Sequence, residues 1–254
     1  MAKPEETRLY DREAARQARV DLAAAYRLAV RFGFHEAIDN HFSLLLPGQD
    51  ELMLLNPYPL HWTEVTAGNL LLADFEGNRL EGEHEVEPTA LHIHAPLHQA
   101  NPRGFRCVLH THMPYASAIA CRQGGRLEMV HQVSSRFDGD VAYLEDYNGL
   151  VLDRTEGNRI ARVMGDKNVL FMANHGVITA GRTVAEAFDR LYFLERACKV
   201  QVLAEMGGHP LQRITHETAE LLRRQRGEGE NPAAELHFAA LKRILDREEP
   251  DYAG

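Results

Sequence analysis

The run Val108-Leu109-His110-Thr111-His112 places two imidazoles two residues apart at the end of an apolar segment. In an extended chain, residues i and i+2 project from the same face, so both rings can address one ion at roughly 2 Å from each ligating nitrogen. A second apolar run ends in Asn174-His175-Gly176, where Gly176 is expected to let the chain turn sharply and leave His175 facing a crevice. Three neutral imidazoles leave one coordination position open, the arrangement of a catalytic rather than a structural site. The expected ligands are therefore His110, His112 and His175, holding one divalent metal that polarises a small oxygen-rich substrate. Imidazole donors suit zinc first, with manganese, iron, cobalt and nickel as alternatives. Taken singly, each segment also reads as an ordinary polar strand end or turn; together they favour the ion.

The elements that must carry these residues show in the periodicity. Small and apolar residues recur at helical spacing from Asp11, placed to cap a helix, to Phe32, with Gly33 to end it. Thr183-Val-Ala-Glu186 reads as a capping box, with Glu186 reaching back, for a helix running to Gly207-Gly208. Pro88 suits the first turn of a helix extending to about Ala100, which Pro96 is expected to kink. Residues 51–56, 70–74, 105–110 and 168–173 read as short strands. Residues 225–232 read as a polar, mobile loop, followed by a short helix over about 233–245. The alternation predicts a layered α/β domain without internal repeats.

Bulk properties bound the function. A chain of 254 residues with 44% hydrophobic and 26% charged residues can bury a sizeable core. A formal charge of -9 with no basic stripe argues against nucleic acid and for a small-molecule partner. No apolar run approaches the ~20 residues needed to cross a bilayer. The charged opening residues have no signal-peptide pattern, so a cytoplasmic, non-membrane protein is expected. Cys107, Cys121 and Cys198 are an odd, scattered set, expected as buried thiols rather than disulfides.

His110-Thr-His112 followed by Asn174-His175-Gly176 resembles the signature of the class II aldolase/adducin family, over roughly residues 14–206. Asn40-His-Phe-Ser43 is similar to that family's early Asn-x-x-Ser loop, and Asn101-Pro102 stands where expected before the metal strand. The resemblance implies a three-layer α/β/α sandwich around a central, largely antiparallel sheet. Residues 1–254 would form one such domain, with a C-terminal helical tail from about 209. It also implies a homo-oligomer, commonly a tetramer with active sites near subunit boundaries.

The departures carry information too. The acid/base carboxylate of the family's sugar-phosphate aldolases falls here on Ala90, and the nearest carboxylate is Glu87, which is either a substitute or simply a helix N-terminal acid. Glu87-Pro88-Thr89 and Asn56-Pro57-Tyr58-Pro59 stand where those aldolases hold phosphate, and proline removes backbone donors that bind oxyanions. A phosphorylated substrate is therefore disfavoured.

Asn40, Ser43 and His94 are candidate substrate contacts, although His94 and His98, four residues apart on one helix, also read as buried, hydrogen-bonded histidines. Tyr147 is a candidate proton donor in a loop that turn formation alone would explain. His131 and Arg136 are weaker candidates, the arginine for a substrate carboxylate. These features predict a metal-dependent carbon–carbon lyase, aldolase-like or decarboxylating, working on a hydroxy, oxo or aromatic acid through a stabilised enolate. A non-catalytic adducin-like interaction module and a metal-dependent dehydratase or epimerase are the alternatives.

Overall fold

The structure, a computed structural model, describes residues 10–226 and 232–254. Of the polar loop expected over 225–232, residues 227–231 lie outside the described residues, as does most of the charged opening segment, while residues 225–226 and 232 are helical.

Eight strands form one sheet: β1 (His41–Leu45), β2 (Leu52–Leu55), β3 (Leu71–Asp74), β4 (Arg79–Glu81), β5 (Cys107–Thr111), β6 (Val141–Leu144), β7 (Val169–Met172) and β8 (Gly176–Gly181). Their order is β4-β3-β2-β1-β5-β8-β7-β6. All neighbours are antiparallel except β6 and β7. The helices are α1 (Arg12–Phe32), α2 (Pro88–Ala100), α3 (Pro114–Ala120), α4 (Arg154–Met164), α5 (Val184–Glu205), α6 (His216–Arg226) and α7 (Pro232–Glu248). None of the described helices is long and apolar enough to cross a membrane.

Strand alternation sorts the side chains into two apolar layers. Phe42, Leu44, Cys107, Leu109, Phe171 and Val177 pack on one face with Leu22, Ile119, Phe188, Leu191, Phe238 and Leu245, which come from α1, α3, α5 and α7. Val108, Leu170 and Ile178 face the other way, against Ile93 and Leu97 of α2 and Ile160 and Met164 of α4. Each large aliphatic or aromatic side chain buried in this way contributes about 1.5–3 kcal/mol. The result is the α/β/α sandwich that the family resemblance implies.

Local chemistry sets the helix ends. Asp11 accepts from the Glu13 and Ala14 amides, and Gly33 closes α1 at φ 70°. Thr183 caps α5 through the Glu186 amide. The reciprocal half of the expected capping box is absent, because the Glu186 carboxylate instead accepts from the Arg182 amide and binds the Arg182 guanidinium. In α2, Pro96 does not interrupt the helix. It lacks the N–H that would bond the His92 carbonyl. That oxygen faces Gly157 of α4, where a Cβ would lie 1.9 Å from it and 3.0 Å from Pro96 Cγ. Gly157 thus lets two helices of the same layer meet closely. Cys107 and Cys198 are buried, but Cys121 is exposed, contrary to expectation, because it lies just past the end of α3.

Candidate metal centre and cavity

His110 is the fourth residue of β5, on the sheet face that carries Val108. Its Nδ1 donates to the Val177 carbonyl at 3.0 Å, across the ladder from β8. His112 follows the strand and donates from Nδ1 to a Glu36 carboxylate oxygen at 2.5 Å. A carbonyl and a carboxylate only accept, so both rings carry a proton on Nδ1, and in the neutral rings that bind a metal Nε2 holds the lone pair. Those two Nε2 atoms stand 3.1 Å apart. Two lone pairs at that distance repel unless a cation lies between them, and nitrogens bound tetrahedrally to one zinc are roughly 3.3 Å apart.

His175 completes the group. Its ring centroid is 4.8 Å from that of His110 and 4.9 Å from that of His112. One ligating atom from each of the three lies within 4.8 Å of the others. The turn that presents His175 is left-handed at Asn174, φ 54°. Gly176 serves a different need from the expected sharp departure: a Cβ there would lie 2.5 Å from the Thr111 carbonyl oxygen and 2.7 Å from His112 Cδ2. Burial pushes His110 well below the usual imidazole range, and burial together with the nearby His112 takes His175 to about 4. Both are neutral at pH 7 and available as ligands. The donor set, its inward lone pairs and its open side fit a divalent transition metal.

A second set of histidines lies behind this group. His98 Nδ1 is 2.5 Å from the Phe105 carbonyl oxygen, His98 Nε2 is 2.7 Å from Ser43 Oγ, Ser43 Oγ is 2.5 Å from His94 Nδ1, and His94 Nε2 is 2.7 Å from His41 Nδ1. The carbonyl at one end decides every proton. His98 must donate from Nδ1, so Ser43 donates to His98, His94 donates to Ser43, and His41 donates to His94. His41 is left with a lone pair on Nε2. Burial drives His41 to about 3 and His98 to about 4, and holds His94 well below its ordinary range, which keeps the chain neutral. His41 pairs in register with His110, and their ring centroids are 4.8 Å apart.

These groups open on a cavity of about 360 Å³ lined by Ile38, Asp39, His41, Tyr58, Glu87, Thr89, Ile93, His110, His112, Leu150, Val151 and His175. Among these described residues none is a lysine or arginine. Glu87 caps α2 through the Ala90 amide at 2.6 Å and accepts the Thr89 hydroxyl at 2.5 Å. The helix-terminal role expected for it is therefore seen, and its carboxylate also stands on the cavity wall. Thr89 Oγ1 lies 3.4 Å from His41 Nε2, but its hydroxyl proton is given to Glu87, so the two meet as neighbours and not as a hydrogen-bonded pair.

Other sequence candidates are placed differently. Ser43 and His94 do not line the cavity; both are fully buried in the histidine chain behind His41. Asn40 is buried too, its Oδ1 accepting the Glu36 amide at 2.9 Å and lying 3.5 Å from the His112 amide. Ser43 stands in the middle of β1 rather than in a loop. Tyr147 is 48% exposed, with its ring centroid 6.0 Å from that of His175. Arg136 turns away, pairing with Asp189 at 3.1 Å and covering the Phe193 ring. His131 Nδ1 accepts the Val133 amide at 3.3 Å, just ahead of the short helical turn Ser134–Phe137. Sequence reading missed His41 and Glu36 altogether. His41 was visible only as the residue after Asn40, and Glu36 reaches His112 through a loop whose path no local pattern reveals.

The sequence profile of the family described as Class II Aldolase and Adducin N-terminal domain matches residues 20–202. An aldolase II superfamily protein from Pseudomonas syringae superposes with a TM-score of 0.87 at 35% identity, covering 95% of this chain and 96% of that one. The L-fuculose 1-phosphate aldolase of Glaciozyma antarctica PI12 superposes with a TM-score of 0.84 at 25% identity, covering 94% of this chain and 92% of that one. The decarboxylase NovR of Streptomyces niveus is 31% identical over 229 residues, 88% of this chain and 84% of that protein. The chain belongs to the class II aldolase and adducin N-terminal domain family.

Proposed function

We propose that this protein is a metal-dependent carbon–carbon lyase acting on a small, non-phosphorylated hydroxy or oxo acid. The observation that carries the reading is the pair of facing Nε2 lone pairs on His110 and His112 at the mouth of a cavity without cationic side chains. A divalent metal held by His110, His112 and His175 would supply Lewis acidity to the substrate oxygens. It would also be the main positive charge available to an anionic group, because the lining residues offer no lysine or arginine. This argues against a phosphate, which arginine and lysine ordinarily hold, and the α2 N-terminus at the cavity is already capped by the Glu87 carboxylate.

The chain's own groups handle the protons. The Glu87 carboxylate on the cavity wall is the proposed acceptor for the proton of a substrate hydroxyl, and the neutral His41 Nε2 presents a lone pair that can hold that hydroxyl in place. As the carbon–carbon bond breaks, its electron pair moves toward the carbonyl oxygen to give an enolate, and an aldehyde or carbon dioxide leaves. Protonation at carbon completes the cycle, and Tyr147 at the rim is the proposed donor. Ile93, Leu150, Val151 and Tyr58 offer an apolar wall for an aromatic or alkyl group.

The test is elemental analysis of the purified protein beside a His110→Ala, His112→Ala double variant, followed by screening of hydroxy and oxo acids for aldehyde or carbon dioxide release. One metal equivalent lost in the variant, with release from such acids, supports the proposal. Turnover of phosphorylated keto sugars alone overturns the substrate class. Absence of metal after reconstitution shifts the assignment to an interaction module.

A further inference from the structure

We infer that Glu36 is a positioning residue for His112, strengthening the hold of the site on its metal through that ligand; the inference rests on the metal reading above. The three imidazoles differ in what stands behind them. His110 has a backbone carbonyl, a fixed dipole without net charge, whereas His112 has a full carboxylate at 2.5 Å. An anionic acceptor on Nδ1–H fixes the tautomer with its lone pair on Nε2 and raises the electron density at that atom, making it the stronger donor.

The loop that delivers Glu36 is built for this placement. Its amide donates to Asn40 Oδ1 at 2.9 Å, and its carbonyl accepts the Asp39 amide at 3.0 Å, closing residues 36–40 into a tight turn. The next residue, Ala37, has φ 48°, a region that a side chain disfavours and that persists only where the surroundings enforce it. Asn40 also approaches the His112 amide at 3.5 Å, so one side chain ties together the backbone of the ligand and that of its carboxylate partner. Glu36 itself is largely exposed and contributes little packing, so its removal separates an effect on the ion from an effect on the fold.

Metal-free wild type, Glu36→Gln, Glu36→Ala, His112→Ala and the Glu36→Ala/His112→Ala double variant are titrated with zinc against a competing chelator, and with cobalt followed by its visible absorption. Glu36→Ala is expected to weaken zinc about 10- to 100-fold, Glu36→Gln less, with a shifted cobalt band and an unchanged unfolding midpoint for the metal-free protein. The double variant is expected to bind no more weakly than His112→Ala, because Glu36 acts through that ring. Zinc affinity of Glu36→Ala within threefold of a wild type that binds one ion overturns the inference and leaves the metal reading intact. Additive losses in the double variant overturn it as well. A wild type that binds no ion removes both.

Discussion

Replacing Ser43 by alanine separates a buried hydroxyl that holds a network from one that holds nothing. Ser43 Oγ stands between His98 Nε2 at 2.7 Å and His94 Nδ1 at 2.5 Å, and all three residues are fully buried. Ser43→Ala leaves one imidazole acceptor and one imidazole N–H without a partner in a layer sealed from water. Each such group costs about 1–3 kcal/mol, so the variant is expected to lose about 2–6 kcal/mol. At roughly 2–4 °C per kcal/mol for a chain of this size, the thermal midpoint falls by about 4–24 °C. Ser117 on α3 supplies the control, because its hydroxyl is buried with no partner among the described residues. Ser117→Ala removes a desolvated hydroxyl without orphaning another group and is expected to be neutral or stabilising. Urea and thermal unfolding of both metal-free variants beside wild type test the pair. Equal losses in the two, or a Ser43→Ala cost below about 0.5 kcal/mol, would refute the ladder, since the second result means that the imidazoles find other partners.

Acid should destabilise the protein through the same residues. His98 is held neutral at a pKa of about 4, against its ordinary value of 6.5. The unfolded chain therefore takes up a proton below pH 6.5 that the folded chain refuses until about pH 4. Stability is full above pH 6.5 and falls by about 1.4 kcal/mol per pH unit, reaching about 3 kcal/mol from this residue alone. Urea midpoints measured from pH 7.5 to 4.5 check this, and a flat profile sinks it. Gly176→Ala forces a Cβ to within 2.5 Å of the Thr111 carbonyl oxygen and 2.7 Å of His112. The expected cost is about 1–3 kcal/mol, with weakened metal uptake in the same preparation, and wild-type metal content and stability would contradict the packing argument. Added zinc at 100 times its dissociation constant should stabilise the wild type by about 2.7 kcal/mol, reversed by a chelator, with no response in His175→Ala.

Much of the centre was legible because its residues are local in sequence. His110 and His112 share a strand face by spacing alone, and Pro88, Asp11 and Thr183 mark helix starts through their own chemistry. The histidine chain was not legible, and the reason is physical. In β1, Phe42 and Leu44 face one layer while His41 and Ser43 point into the other, where apolar residues would be expected. The alternation therefore resembles a half-polar loop, and only the third dimension shows that β5 and α2 supply the missing partners. Asn40 was expected at the substrate and instead secures the turn that carries Glu36. Asp153 and Gly165 bracket α4 as cap and stop, a signal present but unread, whereas Glu36 meets His112 across 76 positions with no periodicity to betray it.

The meeting of Gly157 with the His92 carbonyl gives α4 influence over chemistry in which it takes no direct part. His94 and His98 ride on α2, and Glu87 caps its first turn, so whatever fixes the lateral position of α2 over the sheet fixes the alignment of His41. A bulkier residue at 157 would push α2 aside like a wedge between two beams and stretch hydrogen bonds of 2.5–2.7 Å that have little slack. Variation on this outer helix can therefore tune proton transfer from a distance, and relatives that differ at 157 should differ at 96 in step with it.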